Sequence, residues 1–447
     1  MKGNNMVTAI EQRYIELHPG SAERHAKAQD LFPDGVTHDA RRMSPFSLYA
    51  THGLGPHKWD VDGNRIIDFW TGHGSLILGH SHPKIVEAVS RQMAEGTHLS
   101  ASTDLEIRWG ELVCDLVPSA EKVRFHSSGT EADMMAIRMA RAYTGKTKVI
   151  KFEDHFHGWS DYLAAGGSGL GGIPGETLNT MIVLPDNDIS IVEKTLENDD
   201  VAAVILEPTG AHMGMHALKP SFLGELREVT ERHGVVLIFD EVVTGFRVSK
   251  GGAQEYYGVT PDMTTLAKIV GGGLPGGAVS GKADIINMIQ ATGDPDFDQN
   301  RRIGHNGTFN ANPLSAAAGV TALELVRDTP VNETADAMGH RLKDGLNDLL
   351  GRMEVSGCAS GLPGAVFLRL GVDHECDKEV CVMSHEQSAI VQDAKRMSQW
   401  NLSMLNHGVH VSGPRFLMMS VQTEQDIDET VEAAERSLTE LRGVGLI

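Results

Sequence analysis

The chain is short of cysteine, of aromatic side chains and of positive charge, and each shortage excludes something. Four cysteines in 447 residues, Cys114, Cys358, Cys376 and Cys381, contain no C-x-x-C pair. So sparse a set does not staple a secreted fold or spell a zinc finger, and reduced thiols in a cytoplasm are the expectation. Lysine and arginine number 39 against 60 acidic residues, a formal net charge of −21, which leaves no basic face for nucleic acid or an anionic membrane. No apolar run approaches a membrane span, and the opening MKGNNMVTAIEQRY carries no apolar signal core. A soluble cytoplasmic protein is expected. Its hydrophobic content of 41% suits an ordinary globular core, and its length exceeds what one core normally fills.

What is present is an alternation. KVRFHSS precedes TEADMMAIRMARAY, AAVILEP precedes FLGELREVTERHG, and KVIKFEDH, VVLIFDE and MTTLAK add further apolar runs. Unalternated runs bounded by turn residues suit strands buried on both faces, in a mostly parallel sheet covered by helices. HKWDVDGNRIIDF (57–69) reads as a hairpin turning at Asp62-Gly63. The first 45 residues are polar, with helical spacing over Ala22 to Leu31 and a break at Pro33-Asp34-Gly35. Beyond Asn312-Pro313 a helix-rich region ends in a short α/β unit with strands AVFLRLG and RFLMMSV and a helix after Glu424.

In open α/β sheets, ligands sit outside the carboxyl ends of the strands. Here those ends carry Ser128-Gly129-Thr130 opening a helix, His155-Phe156-His157, Glu207, Asp240-Glu241 and Lys268. Taken singly, each has an ordinary explanation. Ser128 is an N-cap, Asp240 a strand-end cap, and Phe156 a core ring. If the strands share one sheet, an anion cradle, an aromatic, two carboxylates and a lysine meet in one crevice.

Lys268, between an apolar strand and a run of glycines, is costly to desolvate without a partner or a task. Phosphate binding is one candidate task, since Gly276 to Lys282 reads G-x-x-x-x-G-K. Yet Ala283 follows where a magnesium-binding Ser or Thr belongs, so a P-loop nucleotide-binding protein is the weakest reading. Gly167 to Gly172 satisfies G-x-G-x-x-G but opens no helix and reads as a loop. His155-x-His157 and His80-x-His82 lack H-E-x-x-H spacing, and no metal is expected. The other candidate task is covalent chemistry on a carbonyl. Pyridoxal 5'-phosphate requires this whole set: a lysine for its aldehyde, an acid for its ring nitrogen, a helix N-terminus for its phosphate and an aromatic against its ring.

LEPTGAHMG, IFDEVVTGFR, TTLAKIVGGGLPGG and GTFNANPLSAAAG, in that order and spacing, resemble the class III aminotransferases of PLP fold type I. The chain is most similar to the glutamate-1-semialdehyde aminomutase group and to its relatives acting on β-phenylalanine and D-phenylglycine. The resemblance runs from GVTHDAR near residue 35 to the C-terminal helix. It implies an α/β fold with a large PLP-binding domain over 59–325 and a smaller C-terminal domain over 326–447, joined by an N-terminal segment over 1–58. It implies Lys268 as the Schiff-base lysine and Asp240 at the pyridine nitrogen, with Val242 beneath the ring and Phe156 stacked above it. Ser128, Gly129 and Thr130 would bind the phosphate, while His157 and Glu207 would complete the cofactor shell. Thr308 would reach the phosphate of a neighbouring subunit, which implies a homodimer with shared sites. Arg41 matches a substrate-carboxylate position.

Two departures bear on the reaction. A glutamate of the aminomutase has no counterpart in SGPRFLMMS, where Arg415 stands instead. His212 and His73 replace asparagine and tryptophan, and either could serve as acid or base. The expected activity is an aminotransferase moving an amino group from a carboxylate-bearing amine to an oxo acid. The alternatives are a glutamate-1-semialdehyde 2,1-aminomutase and a lyase releasing ammonia or phosphate from an amino alcohol derivative.

Overall fold

The structure, a computed structural model, describes residues 7–198, 200–373, 376 and 379–447. Strands β1 (Ala50–Leu54), β2 (His57–Asp60) and β3 (Arg65–Asp68) form an antiparallel meander. The sequence hairpin over 57–69 is β2 and β3, and β1 is an added strand its exposed residues did not announce. The turn between β2 and β3 closes because the Asp60 carboxylate accepts from the Asp62 and Asn64 amides at 3.0 and 2.8 Å.

The central sheet contains β4 (Lys122–His126), β5 (Lys148–Phe152), β6 (Met181–Leu184) and β7 (Val201–Leu206). After the two-residue strand β8 (His216–Ala217), it continues with β9 (Val236–Asp240), β10 (Met263–Ala267) and β11 (Gly277–Gly281). The order is β4-β11-β10-β9-β7-β5-β6, parallel except for β11. Every residue of β7, β9 and β10 is buried. Each large apolar side chain so buried contributes about 1.5–3 kcal/mol, so the centre of the sheet is a firm platform for the polar residues at its ends. Helix Gly129–Thr144 covers one face through Ala132, Met135, Ala136, Met139 and Ala140, and ends at Gly145.

The glycine-rich segment before Lys282 is strand β11 (Gly277–Gly281), and Lys282 pairs with Asp262 at 2.7 Å. A strand presents no phosphate cradle, which removes the P-loop reading. Residues 167–172 form a loop that opens no helix.

β12 (Gly357–Ser360) and β13 (Ala365–Leu370) begin a third sheet, antiparallel. β14 (Val409–His410) returns to pair parallel with β3, and β15 (Arg415–Leu417) completes the third sheet. The expected strand RFLMMSV is thus shorter than its apolar run. From Met418 the chain leaves the sheet, the Met418 amide bonding Gly364 O and the Ser420 amide bonding Ile77 O. The N-terminal helices are Ala9–Leu17 and Pro19–Gln29. Tyr14 packs with Phe46, Leu402 and Leu405, and Asn406 donates to Ile10 O at 2.9 Å.

A buried ionic cluster joins the meander. Asp68 accepts from Lys58 Nζ at 2.9 Å and pairs with His80 at 2.8 Å, which accounts for one half of the His80-x-His82 pair. Burial pushes the Asp68 carboxyl up, but the charge of Lys58, the His80 hydrogen bond and His410 together hold it well below the usual range. Its folded value is depressed, so its stabilisation is present above the ordinary aspartate value near 3.9 and is lost as pH falls below it. Asp68→Asn should cost roughly 3–5 kcal/mol at neutral pH, because it strands the Lys58 charge. Denaturant titrations at pH 7 and in acid should show that loss shrinking in acid; a cost independent of pH would contradict the ionic role.

Candidate active site

β9, β10, β7 and β5 are neighbours, and their carboxyl ends lie along one edge. β10 delivers Lys268, which stands in the left-handed region at φ 54°. Burial pushes its amine below the usual lysine range; Asp240 pulls it back up, and Arg415 pushes it further down. Among the described residues no hydrogen bond or ion pair engages that amine.

β9 delivers Asp240. His157 is fully buried and held below its ordinary range by burial, against the pull of Asp240, so it stays neutral. Its Nδ1–H donates to Asp240 Oδ2 at 2.7 Å, while the Val242 amide donates to Oδ1 at 3.0 Å. Behind Asp240 lies Asp133, accepting from Thr265 Oγ1 at 2.5 Å. Burial, then the negative charge of Asp240, pushes Asp133 well above the carboxylate range, so it is held protonated.

β7 delivers Glu207, which accepts from the Phe156 amide at 3.0 Å and from the His212 and Met213 amides at 3.1 Å each. Burial raises Glu207, but His212, His155 and His157 outweigh it and hold the group ionised. The Glu207 amide in turn donates to His155 Nδ1. Both histidines of His155-x-His157 are therefore committed to the carboxylate shell.

At the far side, Ser128 caps helix Gly129–Thr144, accepting from the Glu131 amide at 3.3 Å. Gly129 is needed for close approach: a Cβ there would meet Val242 at 2.9 Å. The helix N-terminus and Val242 are thereby packed together beside Asp240. Phe156 is 62% exposed and shares a cleft of about 850 Å³ with Asp39, Trp159 and His212.

The remaining expected residues form a rim. His73 stacks on His38 at 4.7 Å, and burial, His38, Arg41, Lys268 and Arg415 together lower it to about 4. It is neutral at physiological pH, and Arg41, Lys268 and Arg415 all lie close enough to act on it. Arg415 donates only to Ser412 Oγ at 3.5 Å, and no carboxylate pairs with it among the described residues. Arg41 is exposed and reaches Thr37 Oγ1 at 3.2 Å. Thr308 stands apart, exposed in a second cleft with His98, Arg124 and His305.

Each of these groups answers one part of pyridoxal phosphate. The unengaged Lys268 amine suits its aldehyde, and the braced Asp240 suits its ring nitrogen. The open Phe156 face suits the ring, and the Ser128–Thr130 turn suits the phosphate. A chain built this way is a pyridoxal-phosphate enzyme of fold type I. More narrowly, it belongs to the class III aminotransferases, whose family model matches residues 38–367. It is 39% identical over 435 residues to glutamate-1-semialdehyde 2,1-aminomutase 2 of Brevibacillus brevis, covering 94% of this chain and 98% of that one. It superposes on an omega-transaminase from Sphaerobacter thermophilus with TM-score 0.86 at 34% identity, covering 96% of this chain and all of that one. A beta-phenylalanine aminotransferase from Variovorax paradoxus matches with TM-score 0.82 at 28% identity, over 98% and 99% of the two chains.

Sequence reading passed over two contributors. Asp133 sits on the apolar stripe of its helix, one residue after Ala132 and three before Ala136, and an acid at such a position is the signal that marked it. Arg247 is fully buried and donates to the carbonyls of Gly74, Gly364 and Met418. Its IFDEVVTGFR segment was read for Asp240 and Val242, not for the arginine that ends it.

Asp240→Asn should keep the fold and lower turnover by about a hundredfold or more, the usual scale for removing a preorganised charge. Asp133→Asn mimics the protonated acid and should keep most of the rate. Equal losses in the two variants, measured by kcat with cofactor saturating, would contradict the division of charge between them.

Proposed function

We propose that the chain is an aminotransferase for a carboxylate-bearing amine, and that Arg415 carries this reading. A guanidinium half sunk beside Lys268 and His73 without an acid of its own is a receptor for an anionic substrate. Arg41, across His73, would take part of the same carboxylate or that of the second substrate. Bound pyridoxal phosphate supplies the electron sink that lets a proton leave the amine-bearing carbon. Lys268, its hold on a proton weakened by burial and by Arg415, receives that proton and returns it. Asp240, its negative charge undivided because Asp133 is protonated, keeps the ring nitrogen charged. Glu207 and the main chain it braces hold Phe156 over the cleft that His212 also lines, and neutral His73 forms a polar wall that does not compete with Arg415 for the anion.

Arg415→Leu should raise KM for the carboxylate substrate by about 10–100-fold, with kcat less affected, the scale of one charge-assisted pair. An unchanged KM would remove Arg415 from substrate binding. Lys268→Ala should abolish turnover and the visible absorption of the loaded protein.

A second reading is the aminomutase, and the 39% identity to a protein of that name favours it. The aminomutase needs no second oxo acid, whereas the transaminase stops after one half-reaction without it. Purified enzyme given an amino donor alone should convert its bound cofactor once, then turn over only when an oxo acid is added. Turnover of glutamate 1-semialdehyde with no added oxo acid would instead establish the aminomutase.

We also propose a homodimer. Trp159 is 80% exposed, Phe309 60% and Leu99 51%, and Phe309 adjoins Thr308. A second copy would cover these apolar side chains and bring Thr308 to the neighbouring phosphate site. Light scattering should give twice the chain mass; a monomer that is fully active would contradict the shared site.

A further inference from the structure

Three of the four cysteines, separated in sequence, meet in space. The Sγ atoms of Cys358, Cys376 and Cys381 all lie within 4.8 Å of one another, and those of Cys358 and Cys381 are 4.0 Å apart. Cys381 and Cys358 are 2% and 7% exposed, while Cys376 is partly open and gives access. No disulfide joins any of them.

We propose that Cys358, Cys376 and Cys381 form a trithiolate site for a thiophilic divalent cation of the zinc class. Distance is the first argument. Thiolates about 2.3 Å from a tetrahedral ion lie about 3.8 Å from each other, close to the 4.0 Å observed, whereas a disulfide brings its sulfurs to about 2.05 Å. The number of thiols is the second, since a redox pair needs two and leaves the third without a task. Charge is the third. Arg369 lies directly opposite Cys358 across β12 and β13, on the same face of the sheet. It is 1% exposed and spends its donors on Ser360 Oγ and the carbonyls of Gly214 and Met215, with no carboxylate among the described residues. Three thiolates around a divalent cation carry one net negative charge, which that buried guanidinium neutralises. The ion would fasten Cys376 and Cys381 to β12. Through Arg369 it would also steady the turn after His212, outside the cofactor site itself.

The reduced, pyridoxal-phosphate-loaded protein, titrated anaerobically with Cd²⁺, should develop a sulfur-to-cadmium charge-transfer band that saturates at one equivalent per chain. Cys376→Ser, at the partly exposed position, and Cys381→Ser should each weaken binding by roughly a hundredfold or more. Cys114→Ser should leave it intact, because Cys114 lies elsewhere on an exposed helix position. The absence of a band with all thiols reduced overturns the proposal, as does a band that survives Cys376→Ser or disappears with Cys114→Ser. A Cys358–Cys381 disulfide in air-isolated protein, with no cadmium bound after its reduction, also overturns it, in favour of a redox pair.

Discussion

The site depends on one electrostatic constraint: a lysine amine held where its charge is costly, facing a carboxylate that must keep its own. Two unit charges about 4 Å apart interact by about 4 kcal/mol at an effective dielectric near 20, so the groups at this sheet edge cannot titrate independently. The fold resolves the conflict by assigning each charge. Asp133 takes a proton because Asp240 is ionised beside it in a buried place. His157 stays neutral and gives Asp240 a hydrogen bond rather than a competing charge. Glu207 remains charged, with the amides of Phe156, His212 and Met213 donating to its oxygens. Arg415, from another sheet, discourages protonation of Lys268.

The same buried charges pin the backbone. Lys268, His73 and His212 all have φ between 54° and 57°, a region that costs a non-glycine residue about 1–2 kcal/mol. The turns at His212 and His73 each have an ionic fastening near them. Glu207 accepts the amides of His212 and Met213, and Arg369 holds the carbonyls of Gly214 and Met215. Arg247 holds the Gly74 carbonyl next to His73. Positions that face the cleft are thus rigid through residues buried behind them, which is what a site that must aim a lysine at one carbon requires.

Much of this was legible in the sequence because parallel-sheet geometry converts strand order into spatial order. Once MTTLA, VVLIF and AAVIL are read as buried strands, Lys268, Asp240 and Glu207 must share an edge. What stayed hidden depends on contacts between distant segments. Asp133 reads as one polar residue in a helix until Thr265 and Asp240 are placed against it. Arg247 bonds to three carbonyls, and Arg369 to two carbonyls and the Ser360 hydroxyl, which no side-chain pattern reveals. The three thiols look unrelated at spacings of 18 and 5, and only the β12–β13 pairing with the following segment gathers them. β1 was missed because its side chains are mostly exposed and lack a clear alternation. The apolar run of β15 overstated its length because Met418 and Met419 are buried against other elements after the strand ends.

The central claim is that Lys268 carries the cofactor. Borohydride reduction of the loaded protein, followed by peptide mass mapping, tests it most directly. A single pyridoxyl group is expected, on the peptide containing Lys268. A group fixed on any other lysine, or none at all with the cofactor bound, would contradict it.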